Sequence, residues 1–257
     1  MALDLFKSLF LGIVEGVTEF LPISSTGHLI LLSEWISFDR SYTEFFDIFI
    51  QLGAILAVII FFWKRFWPFD IKLWSRILVA VIPALIIGGL FGNHIRQYLF
   101  NFQTVSIALI FGGLIMVFVE NLNIKPKYNS ISELSWGSVF IIGLIQCLAM
   151  IPGTSRSATT IISALILGYS RTLAVEFSFF LAIPTIIAAS GYSLVKYGLS
   201  IRIDELIIVI IGFLASFIVA LFVIKFLLKY IKTHDFKFFA YYRIILGIVF
   251  LIYFLNQ

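Results

Sequence analysis

The chain has 257 residues, 61% of them hydrophobic and only 12% charged, and its mean hydropathy is +1.08. Soluble domains carry about 25% charged residues, so this composition belongs to a polytopic membrane protein and leaves no room for a separate soluble domain. The net charge of +4 does not signal nucleic acid, because the basic residues stand at the ends of apolar runs, as membrane topology signals do.

The start of the chain has Asp4 and Lys7 but no small-residue cleavage pattern, so no cleavable signal peptide is expected. The first apolar segment covers about 3–20. Pro22 stops it, and the hydroxyl run Ser24-Ser25-Thr26 offers a start for a second short segment, about 24–37. Full spans follow at about 45–64, 73–92 and 104–122. Two more short segments, about 135–150 and 154–168, are broken at Pro152-Gly153. The last spans are about 174–198, 205–230 and 240–256. A helix needs about 20 residues to cross the hydrocarbon, so six segments read as full transmembrane helices. A broken helix at membrane depth is tolerated only where protein buries it or it lines a wet cavity. Each short pair therefore reads as a re-entrant helix–loop–helix hairpin. Pro83 and Pro184 are expected to kink their spans. The single Cys147 excludes an internal disulfide and reads as a packing residue.

The two hairpins look like copies. Gly12-Ile13-Val14-Glu15 leads to Pro22 and Ser24-Ser25-Thr26-Gly27-His28. Gly143-Leu144-Ile145-Gln146 leads to Pro152 and Gly153-Thr154-Ser155-Arg156-Ser157. Beyond them, Glu44-Phe45-Phe46 and Glu176-Phe177-Ser178-Phe179 recur at a similar distance, so a unit repeats with an offset of about 130 residues. Internal repeats with matching interrupted helices point to a central membrane site. The predicted fold is an all-α polytopic inverted repeat in one membrane domain, with halves about 1–122 and 135–257.

Charge sets the expected orientation. With the end of span 45–64 in the cytoplasm, the inner side holds twelve basic residues: Lys64, Arg65, Lys72, Arg76, Lys125, Lys127, Arg171, Lys225, Lys229, Lys232, Lys237 and Arg243. The outer side holds five: Lys7, Arg40, Arg96, Lys196 and Arg202. This bias satisfies the positive-inside rule. It sends one hairpin in from each side and leaves both termini outside. Trp35, Trp63, Trp67, Trp74, Tyr98, Trp136 and Tyr197 suit interfacial anchoring.

Ionisable groups inside a membrane are costly and call for a reason. Glu15 and Glu19 are four apart and share a helix face. Such a pair binds a divalent cation or moves protons; the plainer account is a pair satisfied by nearby donors. Ser24, Ser25 and Thr26 exceed what one helix cap needs, and a hydroxyl beside an imidazole, here His28, is the minimum for an activated nucleophile. Gly153, Thr154, Ser155, Arg156 and Ser157 combine close backbone approach, hydroxyls and a planar guanidinium, which together bind oxyanions. The plainer account has Arg156 merely neutralising Glu15 or Glu19, and the two accounts are compatible. The segment lacks the ending of a nucleotide-binding P-loop, so ATP is not expected. Gln51, Gln146 and Asp47 are placed to reach a central cavity. Glu120 and Glu133 read as solvated span ends, and His94 and His234 as loop residues.

These segments resemble the undecaprenyl pyrophosphate phosphatase family of bacitracin-resistance type. The match rests on residues 15–28, on Ile50-Gln51-Leu52-Gly53-Ala54-Ile55-Leu56 and on Pro152-Gly153-Thr154-Ser155-Arg156-Ser157, and it spans the whole chain in length and span pattern. The resemblance implies a multi-pass enzyme of the bacterial plasma membrane. It would remove one phosphate from a C55 polyprenyl pyrophosphate and so recycle a cell-wall lipid carrier. It implies Glu15, Glu19, Ser25, His28 and Arg156 as the essential set, Ser155 and Thr160 as neighbours, and dependence on a divalent cation. The family often has Gly where this chain has Ala158.

The expected reaction follows. The two loop tips meet in a pocket open to the outer, periplasmic face. Ser24, Thr26, Gln51, Gly153, Thr154, Ser155, Ser157 and Thr160 bind the substrate around the catalytic set. Arg156, helix N-termini and Mg²⁺ or Ca²⁺ neutralise the phosphates, and Glu15 and Glu19 hold the metal or tune His28. Ser25 attacks the terminal phosphorus with His28 as base and then acid; direct attack by water activated by His28 or Glu19 is the alternative. The partners expected are the polyprenyl pyrophosphate and the bilayer, with no nucleic acid, and a homodimer is compatible. A secondary transporter or lipid flippase is the rival, since transporters share this architecture.

Overall fold

In a computed structural model, which describes residues 2–36, 38, 40–197 and 203–256, the chain is a bundle of helices: α1 (Ala2–Thr18), α2 (Ser25–Leu32), α3 (Arg40–Phe61), α4 (Trp63–Phe66), α5 (Ile71–Leu99), α6 (Phe102–Asn121), α7 (Trp136–Gln146), α8 (Arg156–Ile166), α9 (Arg171–Tyr197), α10 (Ile203–Tyr230) and α11 (Lys237–Leu255). Helices α5, α6, α9, α10 and α11 are long and apolar enough to cross a membrane. Helix α3 has 22 residues, with its apolar part at Phe45–Phe61. The chain is an all-α, multi-pass membrane protein. Phe111, Phe118, Phe222 and Ile245 point outward from the bundle, where acyl chains replace water as solvent. Lipid gives helices no hydrophobic reason to associate, so close approach of small residues matters. Gly12 and Gly16 of α1 lie against the α10 backbone at Gly212 and Ser216, and Gly143 of α7 lies against the backbone of Ala80 in α5.

The short helices stop where the sequence places their breaks. Ser24 caps α2 with φ 73°, and its hydroxyl accepts the Gly27 N–H at 3.2 Å. Ser155 caps α8 with φ 71°, and its hydroxyl accepts the Ala158 N–H at 3.2 Å. A serine hydroxyl thus satisfies one orphan donor at each helix start. Helix α2 ends at Leu32, five residues before the predicted boundary, in a turn at Ser33. The 3₁₀ turn Cys147–Met150 extends α7 to its break. Pro83 and Pro184 sit inside α5 and α9, which continue on both sides.

The two hairpins enter from opposite ends of the bundle. Phe102 at the start of α6 stacks on Phe254 at the end of α11. Trp35, just past α2, packs on Phe250 and Tyr253 at this same end. At the other end, Glu120 of α6 accepts the Phe236 N–H that precedes α11. Trp136 begins α7 beside Arg76 in the first turns of α5. Inside the bundle the tips touch: the Ser157 hydroxyl donates to the Leu21 carbonyl at 2.8 Å. Helix α1 packs on α10 and α7 on α5; α3 packs on α10 and α9 on α5. Helices α3 and α9 pack together, as do α6 and α11.

Several expectations require correction. Glu120 is not a solvated span end. It is buried (5% exposed) and paired with Arg171, because it joins α6, the start of α9 and the turn before α11. Glu133 is exposed and accepts the Asn129 N–H. His94 is not in a loop; α5 runs through it to Leu99, since nothing between Gly92 and Leu99 stops a helix. Arg243 is not a rim charge, being fully buried (0% exposed) inside the bundle. Arg76 is also buried, and donates to the carbonyls of Leu134, Ser132 and Lys72. Arg202 and the side chains of Arg40, Glu44, Lys196 and Tyr197 lie outside the described residues.

Candidate active site

The turn after α1 and the start of α8 bring an acid, a hydroxyl and a guanidinium into one chain of contacts. Glu19 follows the last turn of α1, its N–H bonded to the Glu15 carbonyl at 2.9 Å. Its carboxylate is divided. Oε2 accepts the Ser25 hydroxyl at 2.5 Å, and Oε1 accepts Arg156 Nη2 at 2.9 Å. Arg156 Nη1 donates to the Ser178 carbonyl of α9 at 2.8 Å. The Thr160 hydroxyl donates to Ser178 Oγ at 2.7 Å. Arg156 Nε is buried without a hydrogen-bond partner. The guanidinium thus has donor capacity in reserve for an anion.

A cavity of about 180 Å³ opens beside this chain of contacts. Of the predicted residues, Glu19, Ser24, Ser25, Thr26, Gln51, Gly153, Ser155 and Arg156 line it. Gln146 and Thr185 add polar groups, while Ala84, Met150 and Ile186 make an apolar wall. Gln146 is 2% exposed, and neither of its amide atoms has a hydrogen-bond partner. Three predicted residues work behind the wall. The Thr154 hydroxyl bonds to the Leu148 and Ile151 carbonyls. Ser157 ties the tips together and shares a hydrogen bond with Ser155 at 3.0 Å. Thr160 braces Ser178.

Glu15 and His28 also stand off the cavity. Glu15 is fully buried, and neither carboxylate oxygen has a hydrogen-bond partner. It lies within electrostatic reach of Glu19, Asp47 and Arg156. A buried carboxylate one helical turn from Glu19 fits a divalent cation by donor chemistry. Among the described residues no three His, Cys, Asp or Glu side chains gather into a ready-made cage. Substrate oxygens would therefore have to complete any coordination shell.

The structure does not bring His28 onto Ser25. His28 Nδ1 lies 2.8 Å from the Ser24 carbonyl, and Nε2 lies 2.7 Å from the Tyr242 hydroxyl. A carbonyl only accepts, so Nδ1 carries the proton; in the neutral ring Nε2 then accepts the phenol. Tyr242 and its neighbour Arg243 were not among the predicted site residues. The signal for both is Tyr242-Arg243 within an apolar last span, since an intramembrane ionisable group is a functional candidate by default. Counting Arg243 as a topology charge hid it.

Comparison with known proteins identifies the family of the chain. The family model described as bacitracin resistance protein BacA matches residues 8–249. Undecaprenyl-diphosphatase 1 of Clostridioides difficile is 48% identical over 265 residues, covering 98% of this chain and 97% of that one. The undecaprenyl-diphosphatase of Acetivibrio thermocellus is 46% identical, with 98% of each chain covered. That of Enterococcus faecalis is 44% identical, with 98% of this chain and 99% of that one covered. A match this long, over both hairpins and the helices between them, means that the chain belongs to the bacitracin resistance protein BacA family.

Proposed function

We propose that this protein is an undecaprenyl-diphosphatase, which hydrolyses a C55 polyprenyl pyrophosphate to the monophosphate and inorganic phosphate. It thereby recycles a cell-wall lipid carrier and confers bacitracin resistance. The observation that carries this reading is the Ser25–Glu19–Arg156 chain on a cavity built from both hairpin tips. The relatives named above carry the same activity in their names. The protein is read as two inverted halves, about 1–122 and 135–257, in the bacterial plasma membrane, with the cavity open to the outer side. The prenyl tail lies against apolar helix surfaces and lipid. Monomer and homodimer both suit this site, which one chain completes.

The substrate's terminal phosphate meets Arg156 and the N–H groups at the starts of α2 and α8, a preorganised positive field of the kind that dominates phosphoryl transfer. Ser25 Oγ forms a bond to the terminal phosphorus, and its proton passes to Glu19. The bond from that phosphorus to the bridging oxygen breaks, and the lipid monophosphate leaves. Glu19 gives that proton up to solvent and then takes one from a water that attacks the phosphoserine phosphorus; the bond from phosphorus to Ser25 Oγ breaks, Ser25 recovers its proton from Glu19, and inorganic phosphate leaves. Glu19 replaces His28 as the base in this scheme, because Glu19 holds the Ser25 hydroxyl and His28 does not. His28 instead braces the first turn of α2 against α11. Attack by water held on Glu19 is the alternative route. Glu15 and Glu19 would hold Mg²⁺ or Ca²⁺, which when bound neutralises phosphate charge.

The test uses purified full-length protein in detergent with C55 pyrophosphate. Phosphate release is expected from wild type, with a drop of about 100-fold or more in Arg156→Ala. A folded wild-type protein that releases no phosphate defeats the proposal. Lipid movement without hydrolysis would favour a transporter or flippase.

A further inference from the structure

Arg243 takes no part in the reaction above, yet it touches both halves of the site. It sits in α11 with 0% exposure and forms no ion pair among the described residues. Its guanidinium donates to five main-chain carbonyls. Nε reaches Leu109 at 3.4 Å, Nη1 reaches Pro22 at 3.1 Å, and Nη2 reaches Ala108 at 3.2 Å, Gly153 at 3.0 Å and Thr154 at 3.0 Å. Leu109 and Ala108 belong to α6. Pro22 lies in the first break, and Gly153 and Thr154 lie in the second. A buried cation without a carboxylate is expensive unless polar groups surround it, and here three of the five carbonyls that surround it belong to the loop tips.

Peptide geometry gives these bonds a consequence. In a trans peptide the carbonyl and the following N–H point in opposite directions, and the Thr154–Ser155 peptide is trans. With the Thr154 carbonyl held on Arg243, the Ser155 N–H points away from Arg243. It makes no hydrogen bond among the described residues, and Ser155 lines the cavity. The N–H groups of Arg156 and Ser157, in the first turn of α8, are likewise left free by the helix. Without the guanidinium, the Gly153 and Thr154 carbonyls would be unpaired acceptors free to turn toward the phosphate and repel it.

We propose that Arg243 is a positioning residue for phosphate binding. It clasps the tips of both hairpins and holds their carbonyls away from the cavity, so that the N–H groups of the second tip face the anion. This rests on the phosphatase reading for its substrate but not for its test. Two variants probe it. Arg243→Lys keeps the charge but cannot span five acceptors with a planar fork. Gly112→Ala keeps Arg243 and displaces it, because a Cβ at Gly112 would overlap Nη2 and come within 2.8 Å of Cζ.

The measurement is inorganic pyrophosphate binding to the purified full-length protein by calorimetry, with kcat and KM on C55 pyrophosphate and a thermal melt beside it. Both folded variants should bind pyrophosphate about tenfold or more weakly and lose about 100-fold in kcat, the scale of one lost oxyanion donor. A role in bulk stability alone would lower the melting temperature and leave pyrophosphate affinity untouched. Either variant folded with wild-type affinity and kcat overturns the proposal. So does failure of both variants to fold, which would make Arg243 a folding residue. Wild type that binds pyrophosphate but hydrolyses nothing defeats the phosphatase reading, and the comparison of affinities still judges Arg243.

Discussion

Ser25 gives its hydroxyl hydrogen bond to Glu19 at 2.5 Å, while His28, three residues on, faces away toward the Tyr242 phenol. A base must reach the proton that it removes, and the proposed mechanism gives that role to Glu19 because it accepts the Ser25 hydroxyl. Glu19→Gln keeps the shape and removes the basicity. It should lower kcat by about 100-fold or more, the usual scale of general-base catalysis, with substrate binding less affected. Phosphate release measures it. A Gln variant with near-normal kcat removes Glu19 from the mechanism. Loss of a phosphoserine peptide in Ser25→Ala, read by mass spectrometry after acid quench, separates serine attack from direct water attack.

The sequence made the two breaks legible because Pro and hydroxyl residues interrupt apolar helices, and few other causes produce that pattern. Glu19, Ser25 and Arg156 were legible for the same reason: ionisable groups beside a break in a membrane need partners. What was not legible was direction. His28 and Ser25 are close along the chain, but helix α2 turns the imidazole toward α11 and the hydroxyl toward α1. No periodicity in one strand of text reports that. Arg243 failed differently. It lies seven residues into a helix whose start, Lys237, is an ordinary flanking charge, so a rule about charges at span ends absorbed it. Glu120 and Arg171 read as two separate end charges because their pairing depends on how α6 and α9 pack.

The His28–Tyr242 bond yields the opposite expectation from the Ser25–Glu19 bond. Tyr242→Phe removes one hydrogen bond at a residue that is 39% exposed, worth about 1 kcal/mol net. The melting temperature should fall slightly, and kcat/KM should stay within about fivefold of wild type, since an ordinary structural bond of this size shifts no reacting group. The ¹⁵N shifts of His28 should show Nε2 released from its donor. A Tyr242→Phe variant that folds normally but is inactive would return His28, with its phenol, to the chemistry.

Gly153 provides a backbone test of the meeting point. Its φ is 94°, and a Cβ there would lie 2.5 Å from the Val105 carbonyl and 2.9 Å from Ala108 Cβ. Both the left-handed conformation and the contact with α6 exclude a side chain. Gly153→Ala should cost about 2 kcal/mol or more and push the second tip off α6, so activity should fall with stability. A variant that melts and turns over like wild type would mean that the tip tolerates displacement, against a rigid site.

Glu120 should behave as a structural residue only. It is buried, pairs with Arg171 and accepts the Phe236 N–H at 3.0 Å. Glu120→Ala leaves that N–H unpaired, while Arg171, 42% exposed in its side chain, can rehydrate. A loss of about 1–3 kcal/mol is expected from the unpaired donor, with kcat per folded molecule unchanged. A folded Glu120→Ala protein with much lower kcat would show that this end of the bundle reaches the active site.

Glu15 decides the place of a metal ion. Its two oxygens are buried without hydrogen-bond partners, which is costly for a carboxylate left alone. In the proposed mechanism Glu15, with Glu19, would hold a divalent cation, which when bound would offset the cost of the buried carboxylate and supply positive charge for phosphoryl transfer. Chelation by EDTA should therefore stop turnover, and Mg²⁺ or Ca²⁺ should restore it. Glu15→Gln should weaken the cation requirement's half-saturation by about tenfold or more, the scale of losing one ligand-shell partner. Calcium binding to the purified protein with pyrophosphate present should weaken in the same variant, which separates lost metal from lost chemistry. Full turnover in EDTA would assign Glu15 to proton or hydrogen-bond work with Glu19 and remove the cation from the site.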